Sequence, residues 1–162
     1  MRSLTITIPG RPPTPNARPG NMMVAYRIRD HWKEIARNAA VAAALDAGWP
    51  LRSDGLERAR VSPRHFEMRV KMLIAEPIVY AIRYEMTFVC GTRQERDWDN
   101  AVASSKPLTD GLVEAGLLAG DSTSYIRSAG RLNTFRYQKG VDAVEIFVVE
   151  GEAPMAQLEM LP

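Results

Sequence analysis

Asp97 and Asp99 stand one residue apart in the run Arg96-Asp97-Trp98-Asp99-Asn100, between a strand-like segment and a helix-like one. Side chains on an extended segment repeat every two residues, so two such carboxylates point to one side. Oxygen donors placed that way suit a hard cation. Mg2+ keeps several waters and is commonly held by one or two carboxylates together with phosphate oxygens. A cation in that setting activates water and neutralises charge at phosphorus, the two requirements of phosphodiester hydrolysis. The pair alone has a second reading, in which Asp99 caps the following helix by accepting from its free N–H groups and the neighbouring acids are simply solvated.

Other chemistries find less support. His31 and His65 have no partners at metal-ligand spacing, so a zinc site is not expected. No glycine-rich phosphate loop follows a strand, which argues against an NTPase and against a nucleotide cofactor. Trp98 reads as a packing anchor, Leu108, Leu112 and Val113 as helix core, and Asp110 and Glu114 as surface acids. Positive charge clusters where a phosphate would approach: Arg11, Arg18, Arg27 and Arg29 flank one loop, and Arg93 and Arg96 sit beside the acids. Arginines so placed offset the repulsion between carboxylates and DNA and position its backbone without reading bases. Solvated surface charge is the plainer reading for part of this set.

The elements that must position these residues are legible from periodicity. Leu4, Ile6 and Ile8 alternate with Thr5 and Thr7, a strand with one buried face, ended by Pro9 and Gly10. Repeated proline over residues 11–20 forbids helix and central strand and predicts an ordered basic loop, suited to an arm lying on a partner. From Asp30, a candidate N-cap, the apolar residues Trp32, Ile35, Ala39 and Ala42 predict a helix that stops before Gly48 and Pro50. Residues 51–64 read as a connecting loop. Phe66, Met68, Val70 and Met72 predict a second strand, Tyr84, Met86, Phe88 and Cys90 a third, and Val144, Ile146 and Val148 a last one, with a weaker candidate at Tyr125, Ile126 and Arg127. A helical stretch follows the acids as far as Gly116, with Pro107 either kinking it or moving its start to Ser104 or Ser105.

The expected fold is therefore α+β, a mixed sheet of four or five strands with two main helices, in one domain over residues 1–162. With 46% apolar and 25% charged residues the chain needs no metal or disulfide to fold, and the lone Cys90 reads as a buried thiol. The net charge of +2 is compatible with nucleic-acid binding without arguing for it. No apolar stretch approaches the ~20 residues that span a bilayer, and the first ten residues lack signal-peptide character, so a cytoplasmic location is expected and no membrane partner. The Pro-containing tail over residues 151–162 is expected to fray or to dock on a partner.

Arg96-Asp97-Trp98-Asp99-Asn100, then Lys106, then Asp110-Gly111-Leu112, then Ala115-Gly116-Leu117-Leu118-Ala119-Gly120-Asp121, resembles the core signature of the RusA-type Holliday junction resolvase family. The N-terminal strand with its following Ile8-Pro9-Gly10-Arg11-Pro12-Pro13 is also similar to family members. The resemblance implies that Asp97, Asp99 and Asp121 are Mg2+-binding catalytic carboxylates, with Mn2+ as a substitute metal, and that Lys106 assists at the scissile phosphate. It further implies a homodimer that nicks two opposed strands of a four-way DNA junction, one active site per subunit about a twofold axis. Two features depart from the family pattern. Five residues separate Asn100 from Lys106 where the compact form has two, which keeps the helix face but shifts Lys106 by about 4.5 Å along the axis. Gly120 stands where many members carry the first acid of a pair.

Two other classes remain alternatives. A junction- or duplex-binding module would keep the fold without the catalysis, and a nucleotide-sugar transferase would use Asp97 and Asp99 to hold a metal diphosphate. The second lacks a nucleotide-binding βαβ unit. For a dimer, the apolar segment at residues 77–80 and the tail residues Met155, Leu158, Met160 and Leu161 are the candidate interface, unless they fold back on their own domain.

Overall fold

Leu4, Ile6 and Ile8 are buried and the residues between them exposed, so the alternation read from the sequence is realised in β1 (Ser3–Pro9). The computed structural model describes residues 1–12, 22–62, 65–93, 98–127 and 130–152, with the backbone alone described at 22, 59–62 and 98–101. β1 pairs antiparallel with β6 (Ala143–Glu150), which pairs antiparallel with β4 (Ala81–Cys90). Ile6, Ile146 and Met86 thereby lie in one row across three strands, all fully buried. β5 (Arg131–Tyr137) joins the other edge of β4 in parallel, giving the order β1-β6-β4-β5.

Two helices cover this sheet. α1 (Met22–Asp46) and α2 (Trp98–Glu114) pack on each other and share a core with the inward residues of β1, β4 and β6. Ala36, Ala40 and Ala44, spaced by four on α1, present a fully buried stripe of small side chains. Gly111 of α2 meets that stripe so closely that a Cβ there would overlap the Lys33 carbonyl and lie 2.8 Å from the Ala36 Cβ. Leu108, Leu112 and Ala115 fill the space below. The fold is α+β, with a mixed four-stranded sheet, a separate two-stranded sheet and two helices. No helix among the described residues is long and apolar enough to cross a membrane.

Several expectations are corrected. α1 begins at Met22, so Asp30 lies inside the helix and is not its cap. The first turns expose Met23, Val24 and Tyr26 and carry no burial periodicity, which is why their helical state was illegible. Residues 51–62 of the expected connecting loop are instead a strand: β2 (Leu51–Ser62) pairs antiparallel with β3 (His65–Ile74). The register shifts at a bulge between Ser53 and Leu56, where Gly55 takes φ 87°. β3 does not bury Phe66, Met68 and Val70. With Leu56 they form an outward face, Leu56, Met68 and Val70 being 68, 62 and 54% exposed. On the polar face Glu67 and Arg69 are exposed as well, and only Glu57 is drawn inward, where the Arg37 guanidinium of α1 holds it through two bonds of 2.6 Å. Only the base of the hairpin, at Leu73 and Ile74, enters the core.

The apolar segment at residues 77–80 also folds back on its own domain. Ile78 and Tyr80 are 0 and 4% exposed, which leaves Val79, at 46%, as the exposed large apolar residue of this segment. Residues 13–21 of the basic loop and 153–162 of the tail lie outside the described residues. Cys90 is buried, with its thiol directed at the Phe88 carbonyl at 3.6 Å.

Candidate functional site

Lys106 and Asp110 lie one turn apart on α2, and the ammonium Nζ donates to Asp110 Oδ1 at 2.6 Å. The same ammonium donates to Asp121 Oδ2, so two carboxylates from different parts of the chain converge on one cation. Asp121 is held there by the loop that follows α2. Ile78 N–H donates to the Leu117 carbonyl at 2.8 Å, and the Ile78 carbonyl accepts from Ala119 N–H at 3.1 Å. Beyond Asp121, Ala81 N–H donates to the Tyr125 carbonyl at 2.7 Å, and the Ala81 carbonyl accepts from Arg127 N–H at 2.8 Å. The loop is thus pinned at both ends to the segment leading into β4, with Leu117, Leu118 and Ile126 buried as anchors. Tyr125, Ile126 and Arg127 form no strand of their own, only a parallel bridge between Ile126 and Ala81.

Gly120 has a steric reason to be glycine. The Tyr125 ring lies against it, and a Cβ at that position would overlap the ring. An acid before Asp121 is therefore excluded by packing. Gly120→Asp is expected to lower stability by about 1–3 kcal/mol, the usual cost of overpacking, and to leave any activity no higher. Denaturant unfolding of the variant checks the first part and activity measured below its unfolding midpoint the second.

The turn of α2 that carries Lys106 is braced from below. Thr109 Oγ1 donates to the Ser105 carbonyl at 3.0 Å and accepts from the Tyr84 hydroxyl at 2.9 Å, tying α2 to β4 on either side of Lys106 in sequence. Burial pushes the Tyr84 phenol up to about 12, so it stays protonated and serves as a brace with no acid–base role near neutrality. The Arg131 guanidinium stands over the Tyr84 ring at 5.7 Å, with Nη1 3.5 Å from the Asp121 carbonyl oxygen.

The hydrogen bond from Lys106 holds the Asp121 carboxyl below its ordinary value of 3.8. Its bonds to Asp110 and then Asp121 raise the Lys106 ammonium above 10.5. The depressed carboxyl contributes stability above its unfolded pKa and loses it as pH falls through the folded one. The raised ammonium contributes below its unfolded pKa and loses it as pH rises through the folded one. The stability difference between the wild type and Lys106→Met is therefore expected to be level from about pH 5 to 9 and to shrink below about pH 4. It should stay under about 1 kcal/mol because the pair is half exposed. Thermal unfolding across that range measures it.

The residues singled out from the sequence are only partly brought together. Asp121 and Lys106 meet, joined by Asp110, which read as a surface acid and had a better case only through the family resemblance. Asp99 lies in the first turn of α2, which begins at Trp98; it is neither the helix cap nor part of an extended pair. Its backbone position, seven residues before Lys106, falls on the same face of the helix, ~10.5 Å nearer the start. α2 also runs through Pro107 without restarting at Ser104 or Ser105. Asp97, Arg96 and Arg18 lie outside the described residues. Arg11, Arg27, Arg29 and Arg93 are exposed; Arg29 stands over Tyr26 and Arg93 over Tyr137, and none makes a described contact with the Lys106 cluster. Arg131 was missed, since its proximity arises from the pairing of β5 with β4 and leaves no local signal. The spacing of Lys106 and Asp110 by four was the signal available for Asp110.

Among the described residues no three His, Cys, Asp or Glu side chains form a cluster able to hold a metal ion. Asp110 and Asp121 converge on the Lys106 ammonium. No protein-family model matches the chain, and no curated protein matches it.

Proposed function

We propose that this chain is a Mg2+-dependent endodeoxyribonuclease that resolves four-way DNA junctions as a homodimer. The observation that carries the reading is the convergence of Asp121 and Asp110 on Lys106, beside Arg131 and on the helix face shared by Asp99. Asp121, with Asp97 and Asp99, would hold the ion, and Mg2+ bound there supplies an activated water and charge neutralisation at the phosphate. Asp110 keeps the ammonium of Lys106 at the acids. The Lys106 side chain is 58% exposed and able to turn toward a phosphate oxygen. Paired nicking needs a second copy, because one chain carries one such cluster. The outward apolar face of the β2–β3 hairpin is the surface suited to be covered.

The test is incubation with an end-labelled synthetic four-way junction, with and without Mg2+, together with sedimentation at micromolar concentration. Symmetric metal-dependent nicks by a dimer are expected. Junction binding without cleavage under any divalent metal would leave a binding module, and a chain that stays monomeric on the junction would defeat paired nicking.

A further inference from the structure

Several guanidinium groups of the main sheet and helices are already engaged, though Arg27 and Arg29 at the start of α1 form no ion pair with a described carboxylate. Arg2 pairs with Glu150, Arg37 with Glu57, Arg83 with Glu85 and Arg136 with Glu145. Arg131 and Arg127 differ, forming no ion pair with any described carboxylate. Both are exposed, and Arg131 opens β5 at the edge of the sheet. Two clefts meet at Arg131. One, of about 520 Å3, is lined by Lys106, Ser105, Thr123 and Asn133 as well as Arg131. The other, of about 470 Å3, carries Arg127 beside Arg131, together with Glu85, whose charge is met by Arg83.

A guanidinium with free donors presents a planar fork that matches two phosphate oxygens, and its charge does not depend on pH in the working range. The contact of Arg131 with the Asp121 carbonyl fixes where that fork stands relative to the acids. Thr123 and Asn133 in the first cleft are neutral donors that suit sugar and phosphate oxygens, whereas the Ser105 hydroxyl is spent on the Val102 carbonyl. We infer that Lys106, Arg131 and Arg127 form a track for consecutive phosphates of a DNA strand, with Arg131 holding the phosphate next to the one at Asp121 and Arg127 the one beyond. This rests on the nuclease reading and names the residues that seat its substrate. The track positions the strand and reads no bases.

The test is binding of the full-length protein to a labelled four-way junction in EDTA, across a salt series. Each phosphate contact removed lowers the slope of log affinity against log salt by about 0.9. Arg131→Ala and Arg127→Ala are each expected to lower the slope by about that much, and the double variant by about twice as much. Arg131→Lys should keep the slope and lose several-fold in affinity, because it keeps the charge without the fork. Arg136→Ala, on the same strand but paired with Glu145, should leave the slope unchanged. Unchanged slopes in Arg131→Ala and Arg127→Ala, with steep binding by the wild type, would overturn the track and leave the nuclease reading standing. An equal loss in Arg136→Ala would also overturn it, since the charge would then act diffusely. A wild type that neither binds nor cuts the junction would remove the nuclease reading itself, and the track with it. Circular dichroism of each variant separates lost contacts from lost folding, and Arg131→Lys carries the argument if Arg131→Ala fails to fold.

Discussion

Asp121→Asn is expected to lower single-turnover junction cleavage by more than about a hundredfold while leaving junction binding unchanged or tighter. The substitution removes one anionic oxygen from the point where Asp110 and Asp121 converge, yet an amide oxygen can still accept from Lys106. Outer residues that merely orient a metal ligand already cost 10–100-fold when changed, so loss of a ligand itself sets a larger floor. Binding should not fall, because the variant also removes a negative charge that faces phosphate. Stability should change by less than about 1 kcal/mol, since the lost ion pair is half exposed. Asp97→Asn and Asp99→Asn are expected to behave alike. The measurement is cleavage and equilibrium binding on the same junction. More than about a tenth of wild-type cleavage in any of the three removes that residue from the site, and a parallel loss of binding points to damage in the fold.

Gly111→Ala is expected to destabilise the domain by about 1–3 kcal/mol, against the sign that helix propensity alone would give. In an exposed helix interior the same change stabilises by roughly 0.8–1 kcal/mol, because alanine loses less backbone entropy. Here the added methyl overlaps the Lys33 carbonyl, a backbone atom that cannot rotate away, and presses on Ala36 of the buried stripe. Relief requires α1 and α2 to move apart. That movement would pull Leu108 and Leu112 from the core and shift the turn of α2 that presents Lys106. Chemical denaturation gives the stability change. A stabilised or neutral variant would show that the helices do not approach at this point. Because Lys106 and Asp121 sit on separately anchored elements, cleavage by the folded fraction of this variant should fall as well, and kinetics below the unfolding midpoint would show it.

The parts of the fold visible in the sequence are those where burial is one-sided. β1, β4 and β6 each bury one face, so period-2 alternation at Leu4–Ile8, Tyr84–Cys90 and Val144–Val148 states the strand and its inward side directly. The helical state of α1 shows at period 3.6, but its buried stripe is Ala36, Ala40 and Ala44, whereas the apolar residues read from the sequence, Trp32, Ile35 and Ala39, are only partly buried and Ala42 is exposed. Where an element is not buried on one face, the signal disappears. β5 lies on the sheet edge with Leu132, Phe135 and Tyr137 half exposed and out of step, so only its parallel pairing with β4 makes it a strand. β2 is rich in charge and interrupted by Asp54-Gly55, and its strand state comes from hydrogen bonds to β3, a partner that local composition does not announce. The hairpin's alternation even predicts the wrong side, because Glu57 is drawn inward by Arg37 while the apolar residues face out.

For the candidate site the division runs along the same physical line. The residue types and the spacing of Asp97 and Asp99 suggested a hard-cation site, because ligand preference is a property of side chains, whereas Asp121 and Lys106 were singled out only through the family resemblance. Which of them meet was decided by tertiary structure. Asp121 reaches Lys106 only because backbone hydrogen bonds pin residues 117–127 to residues 78–81, contacts some forty residues apart in the chain. Gly120 is glycine because a ring from five residues on lies against it, and Arg131 stands by Asp121 because β5 runs alongside β4. Local preferences are written residue by residue, whereas a site assembled from a helix, a loop and a sheet edge exists only once non-local pairing has brought them together.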